Sequence, residues 1–275
     1  MYSGLNCFLR LKIIMHKLLY LLFFFLIFNS SVSAQNNYNN KSHAKQKMSV
    51  MTIGYGIFSS PKYEGGSKYT IRAAPFFNLK YRNITVNPIS GVRMEFSAGE
   101  NWSGGIGLGG SFGRYTKQDT NLSGLGNIDW TVEAILFAKY RARFYSINSE
   151  IYSDILQNGH RGYYLKTSIG TAFPLFNMTT FIRPSLSITF ADKNYLNSFF
   201  GVNSKQSMSS GYSEYFLNQG IKDASANLLM IYRLNDKVSL NGTLNYKMQM
   251  GAVTSSPIVK SKDQFSGGFS LTYLY

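Results

Sequence analysis

Outside the first 34 residues the chain has two histidines, His43 and His160. His160 follows Asp154, Ser153 and Tyr152 closely in the sequence. A hydroxyl, an imidazole and a carboxylate are the parts of a hydrolytic centre, in which the imidazole takes the nucleophile's proton and the acid orients the imidazole. Here no oxyanion site and no further orienting group stand at a recognisable spacing. A surface hydrolase using His160 is therefore the remote reading, and an exposed loop histidine the ordinary one. His43 lies in a polar stretch and reads as solvated filler. Asp and Glu do not cluster with His at metal-ligand spacing, and the one cysteine, Cys7, lies near the start. Neither a metal nor a cofactor is expected, nor is a disulfide. The segment 104–113, GGIGLGGSFG, has the composition of a phosphate cradle. That motif needs a strand before it and a helix N-terminus after it, whereas these glycines alternate inside a strand, where they let a sheet curve or leave room beside it.

The elements that would hold any such residues are strands. KVSLNGTLNYKMQM, 237–250, alternates polar and apolar throughout, with Val238, Leu240, Leu244, Tyr246, Met248 and Met250 on one side. The same period of two runs through 128–141, 145–155, 163–169, 182–190 and the closing FSGGFSLTYLY. Runs of this length suit strands that cross a bilayer at a tilt, and short turns alternate with longer loops as in outer-membrane barrels. Short connections are expected at RN (82–83), AGEN (98–101), 141–143, PLFN (174–177) and ND (235–236), with longer loops at 59–68, 116–127, 157–161, 191–224 and 251–263. Keeping the alternation requires splitting 84–96 at NPISG (87–91) into two short strands. The expectation is an all-β transmembrane antiparallel barrel of about twelve strands over 48–275, with both termini periplasmic. A soluble two-sheet sandwich would share the alternation but not the strand length or the turn asymmetry.

Residues 1–34 carry Arg10, Lys12 and Lys17, then the apolar run 18–28, then NSSVSA. That is the pattern of a secretory signal peptide, too short in its apolar part to span as a helix. Met1 and Met15 are both possible initiators, and Gln35 is the expected mature start. Residues 35–47, QNNYNNKSHAKQK, read as a disordered leader. Without the signal, 25 basic residues face 13 acidic ones, a net charge of +12. For an exported chain this points to anionic lipids, lipopolysaccharide or wall polymers as partners rather than nucleic acid.

Putting the apolar side of each strand towards lipid turns nine basic residues inward, Arg72, Lys80, Arg93, Lys139, Arg141, Lys166, Arg183, Arg233 and Lys247. Five acidic ones accompany them, Glu95, Asp129, Glu133, Glu150 and Asp154. Two readings stand: a closed barrel whose buried charges pair, or a narrow, water-filled, anion-preferring pathway. In the loop 191–224, Phe199, Phe200, Tyr212, Tyr215 and Phe216 either pack over the barrel mouth or form a partner-contact patch.

Three blocks, SPKYEGGSKY, NSFFGVNSKQSMSSGYSEYFLNQGIKDASANL and SSPIVKSKDQFSGGFSLTYLY, resemble the MipA/OmpV family from about Met48 to Tyr275. The resemblance is carried by Pro61, Tyr63 and Gly65, by Phe200, Gly201, Val202, Ser210 and Gly211, and by Ser256 and Pro257. It implies a non-enzymatic barrel in the outer membrane of a Gram-negative bacterium. It also implies a scaffold in wall remodelling between a lytic transglycosylase and a penicillin-binding protein, with small-molecule uptake as the rival role.

Overall fold

Alternating side chains along a strand leave one apolar face and one polar face, and both must find a suitable neighbour. In a computed structural model, which describes residues 49–176 and 179–275, a closed barrel meets that demand. The expected signal peptide and leader lie outside the described residues. The strands are β1 (Ser49–Pro61), β2 (Tyr69–Tyr81), β3 (Ile84–Asn87), β4 (Gly91–Ala98), β5 (Trp102–Ser111), β6 (Thr131–Arg141) and β7 (Ser146–Asp154). They continue with β8 (Tyr163–Gly170), β9 (Phe173–Leu175), β10 (Thr180–Ala191), β11 (Gly220–Arg233), β12 (Val238–Gln249) and β13 (Asp263–Leu274). Every pairing is antiparallel, and β13 returns to pair with β1 over Thr52–Ser59. β8 and β9 pair with successive stretches of β10, so they form one interrupted stave and the barrel has twelve. Closure leaves no free sheet edge around most of the wall, as hydrocarbon requires.

The split at 87–91 is realised by a turn with a visible cause. The Asn87 side-chain oxygen accepts from the Ile89 amide at 2.7 Å and the Ser90 amide at 3.2 Å, and Gly91 takes φ 74°. At the expected PLFN turn the structure differs: β9 extends the wall to Leu175, and the chain turns at Phe176 instead. Pro174 has no N–H to donate, and it is tolerated because β9 pairs on one side only, with β10.

On the outward face, Ile57, Leu244, Phe269 and Leu271 are more than half exposed. An apolar surface of this extent is stable against lipid and not against water. Among the described residues no helix is long and apolar enough to cross a membrane. On the inward face of β6, Ile135 and Phe137 are buried among charges, and the glycines of β5 make that possible. A Cβ at Gly105 would lie 1.9 Å from the Met94 carbonyl oxygen and 2.8 Å from the Phe137 ring, and one at Gly109 would lie 3.1 Å from Ile135. The glycine run thus gives room inside the barrel.

The assignment of faces has a direct test. Leu244→Arg, on the outward face, is expected to cost about 2–4 kcal/mol in urea unfolding from lipid vesicles. Its inward-facing neighbour, in Thr243→Arg, should cost far less.

Candidate functional site

The barrel's two ends are unlike. At one end the strands are joined by the short connections 82–83, 99–101, 142–145, 176–179 and 234–237. At the other, the connections 62–68, 112–130, 155–162, 192–219 and 250–262 fold together into a cap. The cap contains two helices, α1 (Lys193–Phe200) and α2 (Ser204–Ser210). Asp192 caps α1, its side chain accepting from the Tyr195 amide at 2.9 Å. Asn203 and Gln206 form a reciprocal capping box on α2, and Gly211 closes that helix at φ 75°. These helices went unpredicted, although the Asn-x-x-Gln spacing at 203–206 was a readable signal.

Helix α1 is short but amphipathic. Tyr195, Leu196, Phe199 and Phe200 are buried against Ile128, Leu217 and Val253, residues from three different connections. A second cluster joins Tyr63, Leu122, Leu125, Val202 and Ile258. The expected motif residues all fall in this cap or at its margin. Tyr63 donates to the Ile258 carbonyl at 3.1 Å, the Gly65 amide donates to Gln264 Oε1 at 3.1 Å, and Ser256 Oγ donates to the Phe200 carbonyl at 2.6 Å. Val202 forms an antiparallel bridge with Tyr215, the Gly201 amide donates to the Asn197 carbonyl at 3.0 Å, and Ser210 Oγ donates to the Gln206 carbonyl at 2.6 Å. Pro61 ends β1, and Pro257 sits beside Ser256. Of the loop aromatics, Phe199 and Phe200 are buried and Tyr212 and Tyr215 half-buried, while Phe216 is exposed.

His160 is fully buried, which corrects its expectation as an exposed loop residue. Tyr195 stacks near it, with ring centroids 4.8 Å apart, and Phe199 lies 6.3 Å away. The Gly162 amide donates to Nδ1 at 3.2 Å, so the proton shared with Glu133 Oε1 at 2.8 Å is carried on Nε2. Asp154 does not orient this imidazole. It accepts from Thr131 Oγ1 and from the amides of Gln157, Gly159 and Arg161, holding the 155–162 connection in place. Ser153 pairs with Tyr163 on the outward side. The hydrolytic parts are present in the sequence and dispersed in space.

Beneath the cap lies an ion cluster that the sequence did not reveal. Between Thr189 and Phe190 the β10–β11 register shifts by one residue, leaving Lys222 as the extra residue of a bulge. Lys222 and Asp223 are consequently both buried, 3.0 Å apart. Glu64 from the 62–68 connection accepts from Lys222 at 2.7 Å and from Lys247 at 2.9 Å. Burial acts to raise the Glu64 carboxyl, but the two ammonium groups outweigh it and hold it far below the usual 4.5.

Deeper in the lumen, Arg93 pairs with Glu150 and donates to the Tyr152 hydroxyl at 3.1 Å. Lys139 donates to Glu95 at 2.9 Å, and Ser103 reaches the same carboxylate at 2.7 Å. Phe137 lies between, 5.5 Å from Arg93 and 5.1 Å from Lys139. Seven of the fourteen expected lumen charges, Arg93, Glu95, Glu133, Lys139, Glu150, Asp154 and Lys247, are therefore engaged with partners. Lys166 is half-buried opposite Glu150 in the β7–β8 register. Asp129 is a correction: it precedes β6, which starts at Thr131, and is exposed among the connections.

The remaining expected charges, apart from Arg72 on β2, mark the turn end. Lys80, Arg141, Arg183 and Arg233 are exposed there, joined by Arg82, Arg143 and Lys237 of the short connections, against Glu100 and Asp236 alone among acidic residues. Four of them lie over aromatic rings, Arg233 at 4.6 Å from Phe181, Arg143 at 5.1 Å from Phe144, Arg82 at 5.4 Å from Tyr81 and Lys237 at 5.8 Å from Tyr273. Acidic residues concentrate towards the cap end, where cations nevertheless outnumber them, and the turn end is basic and open.

The family model described as MltA-interacting protein MipA matches residues 53–275. No curated protein matches the chain. Among solved structures, the chain is similar to a KdgM porin, at 8% identity over 81% of this chain and 98% of that one, with a TM-score of 0.39. It is also similar to the outer membrane channel DcaP of Acinetobacter baumannii, at 9% identity over 82% and 96%, with a TM-score of 0.39. A third is the CymD monoaromatic hydrocarbon channel, at 10% identity over 83% and 88%, with a TM-score of 0.41.

Two outcomes follow from the cap. Phe200→Ala empties the centre of its core and is expected to cost about 3–5 kcal/mol. The loss should be read as faster amide exchange in 193–217 while the strands stay protected. Because the Glu64 carboxyl is held low in the folded state, its stabilising contribution is present above 4.5 and is lost as pH falls through the lower folded value. Limited proteolysis of the cap should therefore accelerate in strong acid. The stability difference between wild type and Glu64→Gln should be largest near neutrality and shrink towards that acid range.

Proposed function

The chain belongs to the MltA-interacting protein MipA family, and from that premise we propose that it is a non-enzymatic outer-membrane barrel that docks a murein-processing enzyme at its turn end. The observation that carries this reading is the cation excess of the turn end, where seven exposed cations stand against two anions among the described residues. Short turns of outer-membrane barrels face the periplasm, so the basic rim would meet the wall and its enzymes. The partner class is a lytic transglycosylase, as the family description implies, with a penicillin-binding protein as the second member of such an assembly. An acidic surface on the partner would complement the rim and speed encounter. The same cations would also bind inner-leaflet phosphates, so lipid and protein partners share one chemistry here.

The rival role as an anion-preferring channel has less support. A folded cap with two apolar cores stands over one mouth, and half of the charges expected to line a pathway are engaged with partners. A barrel whose axial mouth is covered serves as an anchor better than as an axial passage.

Affinity capture of the tagged protein from envelope extract tests the proposal. It should retrieve a lytic transglycosylase, and retrieval should weaken with added salt, as exposed charge interactions do. Replacing Lys80, Arg82, Arg141 and Arg143 by Gln should lower capture by roughly tenfold without loss of the heat-modifiable barrel on gels. Capture of no murein hydrolase or synthase would overturn the reading. In planar bilayers the purified protein should show no conductance steps.

A further inference from the structure

The wall of the barrel is complete except on one side. Across β2 to β5, one row of paired residues runs Leu79, Val86, Val92, Leu108. Towards the cap from that row, β2 continues through residues 69–78 with β1 as its pairing partner, and β5 continues to Ser111. Between them stands only the turn 88–90, because β3 has 4 residues and β4 has 8. Above, the cap bridges the space: Lys68 Nζ lies 3.8 Å from Asp119 Oδ2, and Tyr63 packs with Leu122 and Leu125. The result is a window with β2 and β5 as its sides, the 88–90 turn as its sill and the cap as its lintel.

The inward face of β2 beside the opening is exposed. Ser270, Gly56 and Ala74 form one inward-facing row across β13, β1 and β2. Ser270 is 9% exposed, as an interior residue should be, yet Ala74 is exposed. Arg72, on the same inward face of β2, is exposed as well and takes part in no ion pair among the described residues. The outer rim is apolar: Ile71, Ile89, Leu108 and Phe112 are 73%, 78%, 52% and 81% exposed. The backbone groups of β2 that face the opening have no strand beside them, and hydrocarbon cannot satisfy them. Water or a polar headgroup must therefore reach the window from within.

We propose that this window is a lateral binding portal for a single-chain amphipathic carboxylate, which passes the Ile71, Ile89 and Leu108 rim and lies with its head on Arg72 and its acyl chain against Ala74 and Phe76 on the inward face of β2. The apolar rim selects a chain, and Arg72, an inward cation without an ion pair among the described residues on the stretch of β2 that bounds the opening, selects an anionic head. With the cap over the axial mouth, such a molecule enters sideways from the leaflet that faces the window. This goes beyond docking at the turn end and does not depend on it.

The test uses full-length protein in lipid nanodiscs and palmitate carrying a diazirine in its chain, with cross-links mapped by mass spectrometry. Labelling is expected on inward-facing Arg72, Ala74 and Phe76, and to be weak on inward-facing Asn241 and Asn245 of the complete wall. Arg72→Gln should lower it by about tenfold, and Ala74→Trp should block it, with both variants remaining heat-modifiable. Labelling confined to outward residues, or unchanged in both variants, overturns the proposal. Equal interior labelling by a diazirine phosphatidylglycerol would also overturn it, by assigning the window to lipid phosphate instead of a free acid.

Discussion

An amide in hydrocarbon has no water to bond, so a sheet that crosses a bilayer must satisfy its own edges. The rest of this molecule depends on that constraint. It forces β13 back onto β1 and β11 onto β10, and it sets which face of every strand meets lipid. Closing twelve staves with this alternation brings polar and charged side chains inside, where each needs a partner. The pairs Arg93–Glu150 and Lys139–Glu95, and the His160–Glu133 hydrogen bond, are consequences of closure more than causes of it.

Acidic residues gather at the cap, where Glu64, Asp154, Asp192 and Asp223 each hold ammonium groups or backbone amides in place. Exposed cations without an ion pair stand at both ends, Lys117 and Lys205 in the cap as well as Arg82 and Arg143 at the turns. A cation needed for interior pairing is buried and unavailable, whereas Arg82 and Arg143 have only aromatic neighbours and water. Under the proposed docking role the turn end is the surface for recognition and the cap, with its buried aromatic clusters, a structural element, although the cap holds the residues by which the family was first recognisable.

The barrel was legible because a period of two, fixed by the pleat, survives any tertiary context. The split of 84–96 was legible too, from the constraint that loops must alternate in length. What escaped reading depended on register. Lys222 turns inward only because a bulge adds one residue to β11, and nothing in GIKDASANL announces a bulge. His160 was read as exposed because connections usually are; its burial comes from Tyr195 and Phe199, contributed by a helix more than thirty residues later. Asp129 failed for the opposite reason, since alternation persists in the sequence beyond the point where β6 begins pairing.

The short β3–β4 hairpin works against the constraint that governs everything else. A full-length pair of strands would have covered the β2 edge, and the sequence here shows no lack of strand-forming residues. The chain instead turns back at Asn87, using the Asx geometry of that residue and the positive φ of Gly91, and leaves residues 69–78 open on one side. The cap then spans the opening from above with Lys68 and Asp119 instead of filling it. An edge left unpaired within a wall otherwise closed at every stave is a cost to the barrel, and a feature that costs stability in one defined place is where a ligand has most to contribute.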